Sequence, residues 1–308
     1  MRSSHDAKEF GMKASNMIGV VGRLWRFPVK SMGGERIEQG EFSIRGLVGD
    51  RAYALMDAET GKVVSAKSVK LYPDLLNCQA EFVEPPRLDC ETPAAKITLP
   101  NGSSVLSDAT DVNKVLSAFF RRDVTLARSA PIDYTIDQYH PDVENADPAG
   151  HRDTVVEQKL GSAFFAEAGL QSPVPIGAFF DLFPVSVLTT ATLDRLSELQ
   201  PDSRFDERRF RMNVIVKVDD ARFVENDWVG NELTIGDTVR FNIALADPRC
   251  VMTTLAQGEL PRDTNILRAI VRYNRVQVGD AGRFPCAGVY ATVQASGTVR
   301  AGDRVSLV

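Results

Sequence analysis

The stretch GNELTIGDTVRFNIALADPRCVMTTL, residues 230–255, sets two short strand-like runs around Gly236-Asp237 and ends beside a thiol. Thr238 to Leu245 reads as a strand. Proline pushes the residue before it into extended or turn geometry, so the strand is expected to break at Asp247. Cys250 follows Arg249, whose positive charge favours thiolate over thiol. A thiolate at a strand end beside a fixed cation can act as a nucleophile or bind a soft metal. A buried structural cysteine fits the same local sequence. A similar turn, Gly302-Asp303, also joins two short strands, as a small closed β-barrel does at its corners.

The rest of the chain bounds what that thiol can be. With 308 residues, 44% hydrophobic and 25% charged, it has the composition of a globular protein with two domains. A formal charge of −5 argues against a general nucleic-acid binder. The four cysteines, Cys78, Cys90, Cys250 and Cys286, contain no CxxC pair, which disfavours zinc ribbons, iron–sulfur clusters and disulfide scaffolds. Reduced thiols in a cytoplasm fit best. Residues 1–16 are polar and lack the apolar core of a signal peptide; they read as a frayed tail, with Met12 and Met17 as alternative starts. No apolar run reaches the length of a membrane span. GxGxxG, P-loop, HExxH and GxSxG motifs are absent.

Along the chain, Val20 to Val29 reads as a strand with Val21, Arg23, Trp25 and Phe27 on one face. It ends in Lys30-Ser31 before Gly33-Gly34, a combination that can hold an anion or form a plain surface turn. Arg51 to Met56 and Lys62 to Lys67 read as a hairpin around Ala58–Gly61. Arg51 then lies on an apolar face and needs an acceptor, either a carboxylate such as Asp50 or a bound phosphate. Ser65 and Lys67 share a face of the return strand. Asn77 to Val83 and Ala95 to Leu99 are further strands. Ser107 or Asp108 is expected to cap a helix carrying Val112, Leu116 and Phe120. Between Ser129 and Gly150, prolines and polar residues mark a linker or long loop, in which His140, and His151 beside it, read as solvated. Val155 to Ala168 reads as a helical patch. Asp181, in an apolar context, is a turn former or a carboxylate aimed into a site. Thr189 or Thr190 caps the next helix. Arg209 to Val218 reads as a strand with Arg211 and Asn213 on one face, able to offer donors to an anionic or heteroaromatic ligand. A helix from Thr264 to Tyr273 and strands Val289–Val293 and Arg304–Val308 complete the pattern, with Tyr290 strand-borne.

RFPVKSMGG, GLVGDRAYALMDAETGKVVSAK, FPVSVLTTATLDRL, RRFRMNVIV, GNELTIGDTVRFNIALADPRCVMTTL and GVYATVQASGTVRAGD, in this order, resemble the MOSC superfamily, the molybdenum-cofactor sulfurase C-terminal domain with its N-terminal domain. The match runs over nearly the whole chain from Gly19. It implies a β-rich α+β fold. A smaller N-terminal β-barrel-like domain (17–130) and a linker (131–150) would precede a C-terminal MOSC β-barrel with flanking helices (151–308).

The relatives nearest in function are the mitochondrial amidoxime-reducing component and bacterial reducers of N-hydroxylated bases. The resemblance implies a molybdenum–molybdopterin cofactor with Cys250 as the protein ligand to the metal. It further implies Lys30, Ser31 and Arg51 on the pterin phosphate, Arg211 and Asn213 against the pterin, Arg249 beside the ligand and Tyr290 on the far wall. Asp181 would orient water or substrate. The implied reaction is a molybdenum-dependent reduction of a small N-hydroxylated substrate by oxygen transfer, with electrons from a separate protein such as a ferredoxin, a cytochrome b5-like protein or a flavin reductase. Pyridoxal phosphate binding attaches to the superfamily only at a general level. Pro248, Leu182 and Phe183 depart from the amidoxime reducers and put substrate identity in question. A sulfur carrier using a Cys250 persulfide and a non-catalytic cofactor-binding module are the alternatives.

Overall fold

The computed structural model describes residues 16–308. The expected tail lies outside them except for Asn16, which opens the first strand.

Seven strands close a barrel. Val185–Thr189 runs parallel to Val214–Lys217, which pairs antiparallel with Asn16–Arg26. The round continues through Arg304–Leu307, Glu232–Ile235, Val239–Pro248 and Arg283–Ala295, and the last returns to Val185–Thr189. Val21, Leu24, Val187, Val214, Val216, Phe241, Ile243, Val289 and Val305 fill the interior. Each such side chain contributes roughly 1.5–3 kcal/mol on burial. Helices Thr190–Leu199 and Asn265–Tyr273 cover one outer flank, burying Leu193, Leu196, Ile266 and Ile270 against Leu188 and Ile215. The Thr189 hydroxyl accepts from Thr192 N–H at 3.1 Å, the expected helix cap.

The first strand, assigned by sequence to the N-terminal domain, is therefore a stave of the C-terminal barrel. Gln39–Ser43 also crosses over, pairing with Gly297–Arg300. The remainder of the N-terminal part wraps a second core of Val29, Tyr53, Leu55, Ile97, Leu116 and Val124. Around it lie the pair Ala54–Asp57 with Val124–Ala127, the three-stranded sheet Gln79–Phe82, Ala95–Thr98 and Ser104–Leu106, and helix Val112–Phe120.

Several local expectations change for identifiable reasons. A bulge between Val21 and Arg23 breaks the alternation of the first strand, so Val21 and Leu24 enter the barrel while Arg23 and Trp25 turn outward to Glu207. The strand expected from Arg209 begins only at Val214, because Glu207–Arg209 is a 3-10 turn and Arg211 is left-handed (φ 57°). Val239–Pro248 runs through Asp247 to the proline. A register shift between Ala246 and Pro248 absorbs the missing N–H. Residues 131–150 are not wholly loop: Thr135–His140 pairs with Thr154–Lys159, which also replaces the first half of the helix expected from Val155. Ser107 caps nothing; its hydroxyl joins Ala95 N–H to the Tyr53 phenol. Among the described residues, no helix is long and apolar enough to cross a membrane.

Asp57 closes the Ala58–Gly61 loop. Its side chain, 3% exposed, accepts from Glu59 and Thr60 N–H at 2.9 and 3.0 Å, from Arg122 Nε at 2.8 Å and from the Tyr72 phenol. Burial works against its charge, but these donors outweigh it and hold the carboxyl well below the usual carboxylate range. A depressed folded pKa stabilises the fold fully above the unfolded value of about 4, and that stabilisation is lost as pH falls toward the folded value. Asp57→Asn is expected to cost about 3 kcal/mol at pH 7 and to flatten the acid limb of stability below pH ~4, measured by urea unfolding across pH.

Candidate functional site

Where the barrel meets the N-terminal core, a cavity of about 750 Å³ opens. Lys30, Ser31, Arg51, Asp181, Arg211, Asn213, Arg249, Cys250 and Tyr290 all line it. The nine come from widely separated points of the chain, and the fold brings every one of them to this wall.

Backbone geometry at the cavity is unusual. Ser31, Arg51 and Arg211 are all left-handed, with φ of 65°, 48° and 57°. Non-glycine residues pay a conformational cost there and persist only where the surroundings over-determine them. The surroundings do. Arg51 Nη2 donates to Arg211 O at 3.0 Å, and Arg211 Nη1 donates to Met32 O at 2.6 Å. Both guanidiniums stack on the Phe27 ring, 4.7 and 4.3 Å from its centroid. At the turn after Lys30-Ser31, the Gly33 N–H donates to Cys78 O at 2.7 Å, and the glycine packs against Gln79.

Asp50 ties this corner together. Its carboxylate accepts from Phe27 N–H at 2.8 Å and from Asn213 Nδ2 at 2.9 Å, and it forms an ion pair with Arg51. Asn213 Oδ1 in turn accepts from the Ser186 N–H at 3.1 Å. The amide of Asn213 is thus committed to bracing, although the residue borders the cavity.

Asp181 lies between two lysines. Lys30 binds one carboxylate oxygen and also donates to Phe179 O at 2.7 Å, while Lys67 donates to the other carboxylate oxygen at 2.8 Å. Burial opposes ionisation, yet the two ammonium charges hold the carboxyl far below its ordinary value. Asp181 therefore accepts hydrogen bonds at neutral pH and carries no proton to give. Burial pulls Lys30 down, whereas Lys67, against its own burial, is raised by Asp181 and by the nearby sulfur of Cys250.

Cys250 is partly exposed at the end of Val239–Pro248 and starts the turn Val251–Thr254. That turn is locked by the buried Arg209, which donates to the carbonyls of Thr253, Leu255, Pro261 and Arg204. Arg249 pairs with Asp247 and donates to Phe210 O at 2.7 Å. Burial, against the pull of Arg249, leaves the Asp247 carboxyl pushed up to about 6. Burial and the Asp247 charge raise the Tyr290 phenol well above its usual value, and its ring stacks on Phe183 at 5.4 Å.

Five cations, Lys30, Arg51, Lys67, Arg211 and Arg249, thus line the cavity. Arg211 Nη2 is buried with no hydrogen-bond partner. Burial, with the like charge of Arg51, pushes that guanidinium down to about 9. An unpartnered buried guanidinium beside a partly exposed thiol is suited to an anionic group that carries a soft metal. The cavity's two lysines, Lys30 and Lys67, are both ion-paired to Asp181, and nothing in the site supports pyridoxal phosphate binding.

A family model described as MOSC domain matches residues 177–306, and one described as MOSC N-terminal beta barrel domain matches residues 18–123. The chain belongs to the MOSC family. Mitochondrial amidoxime-reducing component 1 of Homo sapiens is 23% identical to it over 94% of this chain and 83% of its own length. Mitochondrial amidoxime reducing component 2 of Bos taurus is 31% identical over 42% of this chain and 38% of its own. The crystal structure of the YUAD protein from Bacillus subtilis aligns over 95% of this chain and 96% of its own at 10% identity, with a TM-score of 0.43. The MOSC match of 177–306 contains Asp181, Arg211, Asn213, Arg249, Cys250 and Tyr290, and the N-terminal match contains Lys30, Ser31 and Arg51.

Three further residues of this MOSC site were not among the nine chosen from sequence: Lys67 and Asp247, which line the cavity, and Asp50, which does not line it but braces Asn213 and Arg51. Lys67 was signalled only by sharing a strand face with Ser65. Asp50 was signalled by adjacency to Arg51, and Asp247 by standing before a proline. Asp50→Ala is expected to destabilise the protein by about 3–5 kcal/mol, since it strands Arg51 and Asn213 without their acceptor. Chemical denaturation measures it, and a loss below about 1 kcal/mol would contradict the bracing role.

Proposed function

We propose that this MOSC protein holds a molybdenum–pterin group in the cavity and reduces small N-hydroxylated molecules there. The net reaction is R–NH–OH + 2 e⁻ + 2 H⁺ → R–NH₂ + H₂O. The observation that carries the reading is the unpartnered Arg211 Nη2 in a cation-lined cavity that also exposes Cys250. The amidoxime-reducing names of the relatives support it.

In this reading the Cys250 thiolate is the protein ligand to the metal. Lys30, Arg51 and Arg211, with the Ser31 hydroxyl, bind the pterin's phosphate by charge-assisted hydrogen bonds. The bound group would supply the two-electron reducing chemistry. The chain's own residues do the rest. Asp181, ionised and pinned by two lysines, orients an N–OH group or water by accepting its hydrogen bond. Lys67, bridging Asp181 and the neighbourhood of Cys250, keeps a proton close to the departing oxygen. Tyr290 is held protonated and hydrogen-bonded to Asp247, and its ring braces Phe183. Phe164, Phe165, Leu182 and Phe183 make an apolar side suited to the carbon skeleton of the substrate, and Phe183 is fixed by edge contact with Phe165 and stacking on Tyr290.

Molybdenum and pterin content of the purified protein, with turnover of an amidoxime by a reduced viologen dye, tests the proposal. Wild type should contain both and turn over. Cys250→Ser should lose at least about a thousandfold in turnover while its melting temperature changes little. Cofactor-replete wild type that leaves every N-hydroxylated substrate unreduced would sink the catalytic reading. Arg51→Ala should lower pterin retention by roughly 10- to 100-fold, the worth of one hydrogen bond to a charged group. Equal pterin content in variant and wild type would remove Arg51 from the cofactor grip.

A further inference from the structure

We propose that His140, Asp147 and His151 form a site for one divalent transition-metal ion of the zinc class at the mouth of the cavity. The inference is independent of what occupies the cavity itself. His140 ends the strand Thr135–His140, His151 stands shortly before Thr154–Lys159, and the loop between them turns back to bring Asp147 to both rings. Asp147 Oδ2 lies 2.9 Å from His140 Nδ1, and Asp147 Oδ1 lies 3.4 Å from His151 Nδ1. One donor atom from each of the three residues lies within 4.8 Å of the others. Zinc bonds of about 2.0–2.1 Å in tetrahedral geometry set neighbouring donors about 3.3 Å apart. The two ring nitrogens approach one carboxylate oxygen each at distances that bracket this value, and one donor from each residue stays within 4.8 Å of the others.

Plain hydrogen bonding accounts poorly for this arrangement. Asp147 Oδ2 is buried and accepts no hydrogen bond of normal geometry, despite the 2.9 Å approach of the His140 ring. The other Asp147 oxygen, Oδ1, accepts only a long bond of 3.4 Å from the His151 backbone N–H, so the carboxylate keeps lone pairs for a third body. The far side of the His140 ring is also prepared. The buried side-chain amide of Gln138 lies 3.3 Å from His140 Nε2. The amide nitrogen is the near atom; flipped end for end, the amide instead accepts from Nε2–H with its oxygen and fixes the tautomer whose Nδ1 lone pair is free to ligate. Two imidazoles and one carboxylate favour zinc, cobalt, nickel or copper over calcium and magnesium, which demand more oxygens.

The placement gives such an ion a task. His140 and Asp147 line the cavity, and the next residue, Pro148, lies against Gly282, which follows the lining residues Gly279, Asp280 and Ala281; an added Cβ there would meet Pro148 at 3.0 Å. An ion bound here staples the loop between the two histidines across the cavity entrance and leaves a coordination position for water.

The test uses the full-length protein, freed of metal by a chelator and titrated with Co²⁺ alone, followed by its visible d–d absorption, then challenged with Zn²⁺. Cys250→Ser is the control, because the cavity thiol is another soft ligand. Wild type and Cys250→Ser should each take up one Co²⁺ with the same spectrum, without sulfur-to-cobalt charge transfer, and Zn²⁺ should displace it. Loss of an outer partner alone costs metal sites about 10- to 100-fold in affinity, so His151→Ala and Asp147→Asn should lose about 100-fold or more. His151 is 38% exposed, so its replacement should leave the fold intact, which circular dichroism checks. Zn²⁺ should raise the melting temperature of wild type and not of His151→Ala. Undiminished Co²⁺ affinity in His151→Ala, uptake that depends on Cys250, or no uptake by wild type would each overturn the proposal.

Discussion

A single buried carboxylate, that of Asp50, governs how the two parts of this molecule meet. It accepts from the Phe27 backbone at the end of the first strand, from Asn213 at the mouth of the barrel and from Arg51. Buried charge is tolerated only when its lone pairs are satisfied, and here the satisfying groups come from both halves of the chain. The left-handed backbone at Arg51, and at Arg211 two residues before Asn213, lies beside these contacts. With those residues held, two guanidiniums come to share one phenylalanine ring. Like charges at such a distance repel, and the arrangement stores a standing demand for an anion between them.

The cavity divides its labour by chemistry. One side is cationic and rigid, with each charge tethered to a backbone carbonyl or a carboxylate, so its groups lose little freedom when a ligand arrives. Another part of the lining is apolar and aromatic, with Phe164, Phe165, Leu182 and Phe183. Between them, Cys250 sits on a turn whose carbonyls converge on Arg209. A thiol held by its backbone in this way can keep one direction whether or not it is bonded to anything.

Much of this was legible in the sequence. The barrel strands from Glu232 to Leu245, their Gly-Asp corner and the Thr189 cap are local patterns that tertiary structure left intact. The nine site residues were placed by motif order and converge. What could not be read was non-local. Nothing around Arg23 announces the bulge that turns Trp25 outward, and strand periodicity over Arg209–Val218 hides the turn that frees Arg211. The prolines flanking Thr135–His140 masked a strand, and with it the meeting of two histidines that looked solvated. Asn213 was expected to face a ligand. Its neighbour Asp50, too far away in sequence to be paired with it, claimed its amide instead.

The position of Asn16–Arg26 in the barrel bears on how the molecule is made. Its two partners, Val214–Lys217 and Arg304–Leu307, emerge from a ribosome long after it does. Until the final strand is released the barrel cannot shut, and an apolar ribbon waits with open edges. Contacts this distant in sequence slow folding and lengthen the window for aggregation. The same circuit has a benefit, since the cation-lined pocket is assembled only by a chain that has been synthesised through its last barrel strand.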